Sequence, residues 1–228
     1  MTDAELIEET ILFVKETLAY AEGGHDWFHI QRVFNNTLLI AKDEEVNILV
    51  VSLGALLHDI ADAKFHDGDE NVGPQLAKDF LSSLKVPKRT INHVVKIIQH
   101  ISYKSSLSHS KQKRRFSSPE LHVVQDADRL DAIGAIGIAR AFNYGGYKNR
   151  TMHNPDIAPK LGMTKEEYKK SDGPTINHFY EKLLLLKDKM NTETGKKLAE
   201  QRHQYMLDFL EQFFLEWNPL AVKKPLIK

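Results

Sequence analysis

Residues 50–64 read VVSLGALLHDIADAK. The first eight carry no charge, and then His58, Asp59 and Asp62 arrive within five positions. A run apolar on every side predicts a helix enclosed by others. A carboxylate at the end of such a helix is costly unless something positive compensates it. The stretch therefore raises both the fold and the chemistry.

Working outward, almost every periodic segment has helical spacing. Ile7, Ile11, Val14 and Leu18 form one stripe over residues 3–20, which Gly23-Gly24 ends. Ile30, Val33, Thr37 and Ile40 repeat it over 28–42, and Val46, Leu49, Leu53, Leu56 and Ile60 over 45–63. Pro87 suits a helix start before Ile91, Val94, Val95 and Ile98. Ser118-Pro119-Glu120 reads as cap and first turn of a helix running to about Phe142. Two more helices are expected over 175–190 and 193–216, the last carrying Leu198, Tyr205, Phe209 and Phe213. No segment alternates as a strand would. The expected fold is all-α: one domain over 1–228, with a core at about 20–145, a helical extension at about 160–217 and a frayed tail at 218–228.

Composition narrows the classes. The 228 residues hold 31 Lys+Arg and 31 Asp+Glu, so a nucleic-acid or anionic-membrane binder is not expected. With no cysteine, thiolate nucleophiles and Cys-based zinc sites are excluded. The N-terminus MTDAELIEET lacks a signal pattern and no apolar run is of spanning length, which reads as a cytoplasmic protein.

Polar residues interrupt core-like helices in three places: GHDWFHIQRV (24–33), LLHDIAD (56–62) and VVQDADRLDAIG (123–134). Taken singly, each has an ordinary explanation. Asp26 can cap a helix, and Asp128 and Arg129 can form ion pairs. Together they suit one divalent cation, since imidazole and carboxylate favour Mn, Co, Ni, Fe or Zn, and Mg where waters complete the shell. His29 and Asp128 are the candidates to join His58 and Asp59, and Asp62 lies one turn beyond His58.

The order His29, His58-Asp59, Asp128 resembles the H…HD…D signature of the HD-domain metal-dependent phosphohydrolase superfamily. The flanks are similar as well: HxxRV around the first histidine, an apolar run before HD, and ADRL around the last aspartate. The chain looks most like the small bacterial HD hydrolases of the YpgQ and YedJ type, through HDWFHIQRV (25–33), LLHDIADAKF (56–65) and VQDADRLDAIGAIGIARAF (124–142). The resemblance implies one divalent metal on His29, His58, Asp59 and Asp128, and hydrolysis of phosphate esters or anhydrides. Asp62 matches an acid that helps activate water in nucleotide-hydrolysing relatives, many of which have Glu there. Branches with two metals use extra histidines; His93 and His100 fall in that interval, but their flanks do not match, so one metal is expected.

Phosphate oxygens need positive partners. Arg32 shares a helix face with His29, and Lys64 and Arg129 are further candidates. Each has a structural alternative: Arg32 as ion-pair partner of Asp59, Asp62 or Asp128, Lys64 as a solvated lysine, Arg129 as a bridge between helices. Trp27, Phe65, Tyr103 and Tyr147 could stack on a base, and His66 and His153 could touch phosphate. The run KQKRR (111–115) could gather anions or be a solvated loop. The expected substrate is a small phosphorylated molecule, most sharply a (deoxy)nucleoside triphosphate cut to monophosphate and pyrophosphate. A 5′-nucleotidase, a non-catalytic nucleotide sensor, a structural module and a two-iron oxygenase are the rivals. The apolar face with Phe209, Phe213, Phe214 and Trp217 is expected to cover the core or pair with a second subunit as a homodimer.

Overall fold

The computed structural model describes residues 1–19, 26–61, 69, 71–101, 116–164, 167 and 171–220. Every regular element among them is helical. Five helices come first: α1 (Asp3–Thr17), α2 (Trp27–Ala41), α3 (Ile48–Leu57), α4 (Val72–Ser83) and α5 (Lys88–His100). Then come α6 (Pro119–Asp131), α7 (Gly134–Tyr147), α8 (Thr175–Glu181), two 3₁₀ turns (Leu183–Leu185 and Lys187–Lys189) and α9 (Glu193–Trp217).

The starts follow capping chemistry. Thr2 and Glu5 close a reciprocal capping box on α1. Asn47 accepts from the Val50 amide at 3.0 Å, so α3 begins at Ile48 rather than at 45. Ser118 accepts from Leu121 N at 3.1 Å with Pro119 as first residue of α6. Asp26 caps α2 by accepting from His29 N at 3.0 Å.

Helix α3 is the centre. Every residue from Val50 to Leu57 is buried, and α1, α2, α5 and α6 pack around it. Each fully buried Leu, Ile or Val contributes roughly 1.5–3 kcal/mol. One buried cluster extends from Leu6 to Leu210. Phe209, Phe213 and Phe214 of α9 pack against it, and the outer Trp217 stacks on Phe213 and meets His153 edge-on.

Three expectations require correction. First, α3 ends at Leu57, not at 63; His58 is its C-cap and residues 58–61 form a turn. His58 and Asp59 therefore leave the helix where its carbonyls are open, not in its interior. Second, 118–142 is two helices. Ala132 caps α6, and α7 restarts at Gly134, whose φ of 74° is a left-handed conformation that glycine adopts without strain. A Cβ on Gly137 would collide with the Ala132 carbonyl, so the corner closes only around a residue without a side chain. Third, 175–190 is broken into α8 and the 3₁₀ turns, because the chain must bend there to bring Asn191 and Thr192 onto α6. Helix α4, which carries Ala77 and Leu81 into the core, belongs to no stripe identified above.

Asp126 fastens that junction. Fully buried, it accepts from the Asn191 and Thr192 amides, from both their side chains, and from Arg129. Asp126→Ala removes the acceptor and leaves Arg129 without this partner; the expected loss is roughly 3 kcal/mol, read as a lower urea midpoint. Gly137→Ala should cost about 1–3 kcal/mol by forcing the α6–α7 corner open; a midpoint unchanged by either substitution would contradict these assignments.

Candidate metal centre

The turn after α3 puts His58 and Asp59 at the buried end of the central helix, and α2 brings His29 beside them. The three offer donor atoms that all lie within 4.8 Å of one another. Helix α6 adds Asp128, whose Oδ1 is 3.6 Å from His29 Nε2 and 3.8 Å from His58 Nε2. The two imidazole rings meet at 68° with centroids 5.3 Å apart. Both histidine side chains are 4% exposed, whereas that of Asp128 is 35% exposed. The cluster is thus closed on the protein side and open at Asp128.

The donor chemistry fits a cation. His58 Nδ1 lies 2.8 Å from the Ala55 carbonyl, which only accepts, so Nδ1 carries the proton and Nε2 presents a lone pair to Asp128. At 3.6 and 3.8 Å the carboxylate is too far for a good hydrogen bond to either ring. Donors sharing one ion through bonds of about 2.1 Å stand roughly 3–3.5 Å apart. Imidazole nitrogens and carboxylates gathered this closely are a donor set that a divalent cation would hold together. His29, His58, Asp59 and Asp128 are the residues that could carry it.

Behind the cluster stands Asp131, 1% exposed. Its Oδ2 is 2.8 Å from His29 Nδ1, and Arg32 grips it with two bonds of 2.6 and 3.1 Å. Arg140 of α7 donates to it as well. Burial raises the Asp131 carboxyl, but His29, Arg32 and Arg140 outweigh that and hold it well below the usual range. Burial lowers His29, opposed by the bond to Asp131. Spacing divides the work of α6. Asp128 and Asp131, three apart, face the cluster, while Asp126 and Arg129, also three apart, face the C-terminal segment.

The structure places the other candidates as follows. Asp62 and Lys64, like His25, Phe65, His66, Tyr103 and the KQKRR run, lie outside the described residues. Arg32 stands beside the cluster, paired with Asp131 rather than with Asp59 or Asp128. Trp27 packs on the core with Lys15 over its ring at 4.8 Å. Arg129 donates to Asp126 and to the Lys189 carbonyl, bridging helices. His93 bonds to Ser118, His100 to the Lys96 carbonyl, and both rings flank Phe116. Neither joins the cluster; among the described residues only His29, His58 and Asp59 meet as a metal-sized group. Tyr147 is 67% exposed, with Lys148 over its ring. His153 packs against Phe214 and Trp217.

Asp131 and Arg140 had no role in the sequence reading. The spacing of 128 and 131 was a usable signal for the first. Arg140 was hidden by the continuous helix, which would set it about 13 Å along the axis from Asp131; the corner at 132–134 folds it back.

Fold and site together define an all-helical bundle built around a His/Asp cluster that could hold a metal ion. The HD domain family model matches residues 27–133, and the chain belongs to the HD-domain family. It is 35% identical to the uncharacterized protein YpgQ of Bacillus subtilis over 212 residues, 93% of this chain and 94% of that one. A solved HD-superfamily hydrolase from Bacillus thuringiensis is 43% identical, with TM-score 0.75 over 95% of this chain and 99% of that one. B. subtilis YpgQ solved in complex with ADP is 33% identical, with TM-score 0.74 over 95% and 97%. No described helix is long and apolar enough to cross a membrane.

Stability should depend on pH through the buried histidines. Burial, with Lys182 and Arg150, pushes His178 down to about 3, and His29 is lowered too. Folded, both stay neutral where unfolded histidine, near 6.5, takes a proton. Their contribution is present above about pH 6.5 and lost as pH falls toward the folded values. Asp131 acts only below about pH 4, where unfolded aspartate protonates. Metal-free protein should show a lower urea midpoint at pH 5 than at pH 7.5; equal midpoints would contradict the neutral His29.

Proposed function

We propose that the protein is a metal-dependent phosphohydrolase acting on a nucleotide, most sharply a nucleoside triphosphate cut to monophosphate and pyrophosphate. The observation that supports the reading is the grouping of His29, His58 and Asp59, with Asp128 near both histidines and open to solvent. A divalent cation there would polarise a phosphoryl oxygen and make a water more acidic.

The chain's own residues supply the rest. Asp62, four residues past His58, orients the attacking water and accepts its proton. Arg32, 34% exposed and steadied by Asp131, offers charge to a phosphate at the open side. Lys64, close after the HD pair in sequence, is a second phosphate partner. Arg129 and Trp27 are held by other contacts and stay outside the substrate set. Tyr147 presents an exposed ring to a base. The relative solved with ADP supports a nucleotide ligand.

Asp59→Ala and Asp128→Ala should each abolish Mn²⁺ binding and turnover; full activity in either variant would refute the site. Asp62→Ala should keep the metal and lose roughly 10²- to 10⁴-fold in rate; loss of metal instead would make Asp62 a ligand. Nucleotides and phosphomonoesters assayed with Mn, Co, Ni and Mg should release pyrophosphate from triphosphates. Orthophosphate from monophosphates would make the protein a nucleotidase, and binding without turnover would make it a sensor.

A further inference from the structure

We infer that Asp131, locked by Arg32 and Arg140, is the positioning residue of the metal centre: it fixes His29 in the tautomer whose Nε2 faces Asp128. The inference rests on the metal-centre reading above and adds how one ligand is aimed.

Asp131 Oδ1 takes the Nε–H of Arg32 at 2.6 Å. Its Oδ2 takes the Arg32 Nη2–H at 3.1 Å and an Nη1–H of Arg140. Guanidinium groups only donate. Both carboxylate oxygens are thereby engaged as acceptors by arginine, and the atom facing His29 Nδ1 at 2.8 Å is Oδ2. The proton of that contact belongs on Nδ1, which leaves a lone pair on Nε2, 3.6 Å from Asp128 Oδ1.

A second contact competes for the same ring nitrogen. Arg140 Nη1 also stands 3.1 Å from His29 Nδ1. Without Asp131 that N–H would be free to donate to Nδ1, and the ring would take the opposite tautomer, with Nε2–H pointing at Asp128. Asp131 draws the Arg140 donor onto its own oxygen and keeps Nδ1 as a donor. Arg32 anchors the carboxylate from the next turn of His29's own helix. Three helices, α2, α6 and α7, meet at this one carboxylate, so the aim of His29 is set by the packing of the bundle. Holding one ring nitrogen so that the other can bind metal is a general role of carboxylates next to histidine ligands.

Two measurements test the assignment. In metal-free wild-type protein, long-range ¹H–¹⁵N correlation of the histidine rings, assigned with His29→Gln, should show His29 as the Nδ1–H tautomer. The Nε2–H tautomer, with Arg140 donating to Nδ1, would overturn the inference and needs no variant to be seen. Calorimetric titration with Mn²⁺ should then show Asp131→Asn, folded by circular dichroism, binding roughly 10- to 100-fold more weakly than wild type. Asp126→Asn, on the other face of the same helix, should lose stability and keep wild-type Mn²⁺ affinity. Equal affinity in folded Asp131→Asn, or an equal loss in Asp126→Asn, would reduce Asp131 to a fold-stabilising residue. Wild-type protein that binds no Mn²⁺ would overturn the metal reading itself, a distinct outcome from bound metal whose affinity ignores Asp131.

Discussion

At the buried end of α3 two imidazoles and the Asp59 carboxylate offer donor atoms within 4.8 Å of one another, with Asp128 close to both rings, and holding this polar group inside an apolar bundle is the constraint that organises the molecule. Buried acids are stable only beside positive charge. Asp131 answers that demand with two arginines and a histidine. Asp126 answers it with Arg129 and a set of amides. Asp59 and Asp128 face His29 and His58, whose inner nitrogens offer lone pairs rather than charge in the tautomers argued above. The two locked acids show how this chain treats a carboxylate it uses for structure. Asp59 and Asp128 stand instead beside imidazoles, the mixed donor set that a divalent cation takes.

The precision of the cluster depends on elements far from it in sequence. Because α3 is buried on all sides, His58 leaves it in a fixed direction. Arg202 of α9 donates to the Leu130 carbonyl and to Asn36 of α2, tying the end of α6 to the helix that carries His29. Asn36 in turn reaches the Ala127 carbonyl. Arg202 thus ties α2 to α6, the helices that carry His29 and Asp128, whereas Asp126 fastens the start of the C-terminal helix on the other face of α6.

The sequence made the helices legible because their signals are local: apolar stripes at helical spacing and caps such as Thr2, Asn47 and Ser118. The four clustered residues were legible because they interrupt apolar runs in a recognisable order. The path between elements was harder to read. Nothing in the periodicity from Ser118 to Phe142 marks the corner at Ala132, since both halves are apolar in phase and glycine also occurs inside helices. With the corner lost, Arg140 was lost, and with it the reason two arginines attend Asp131. Arg32 was expected to find its acid among 59, 62 and 128; the acid it meets is 131, one turn along the helix that carries 128.

The most direct test is anomalous diffraction at the manganese edge from crystals grown with Mn²⁺. A peak is expected at bonding distance, about 2–2.2 Å, from His29 Nε2, His58 Nε2, Asp59 and Asp128. An empty cluster in crystals that hold Mn²⁺ elsewhere, or a peak that leaves out either histidine, would contradict it.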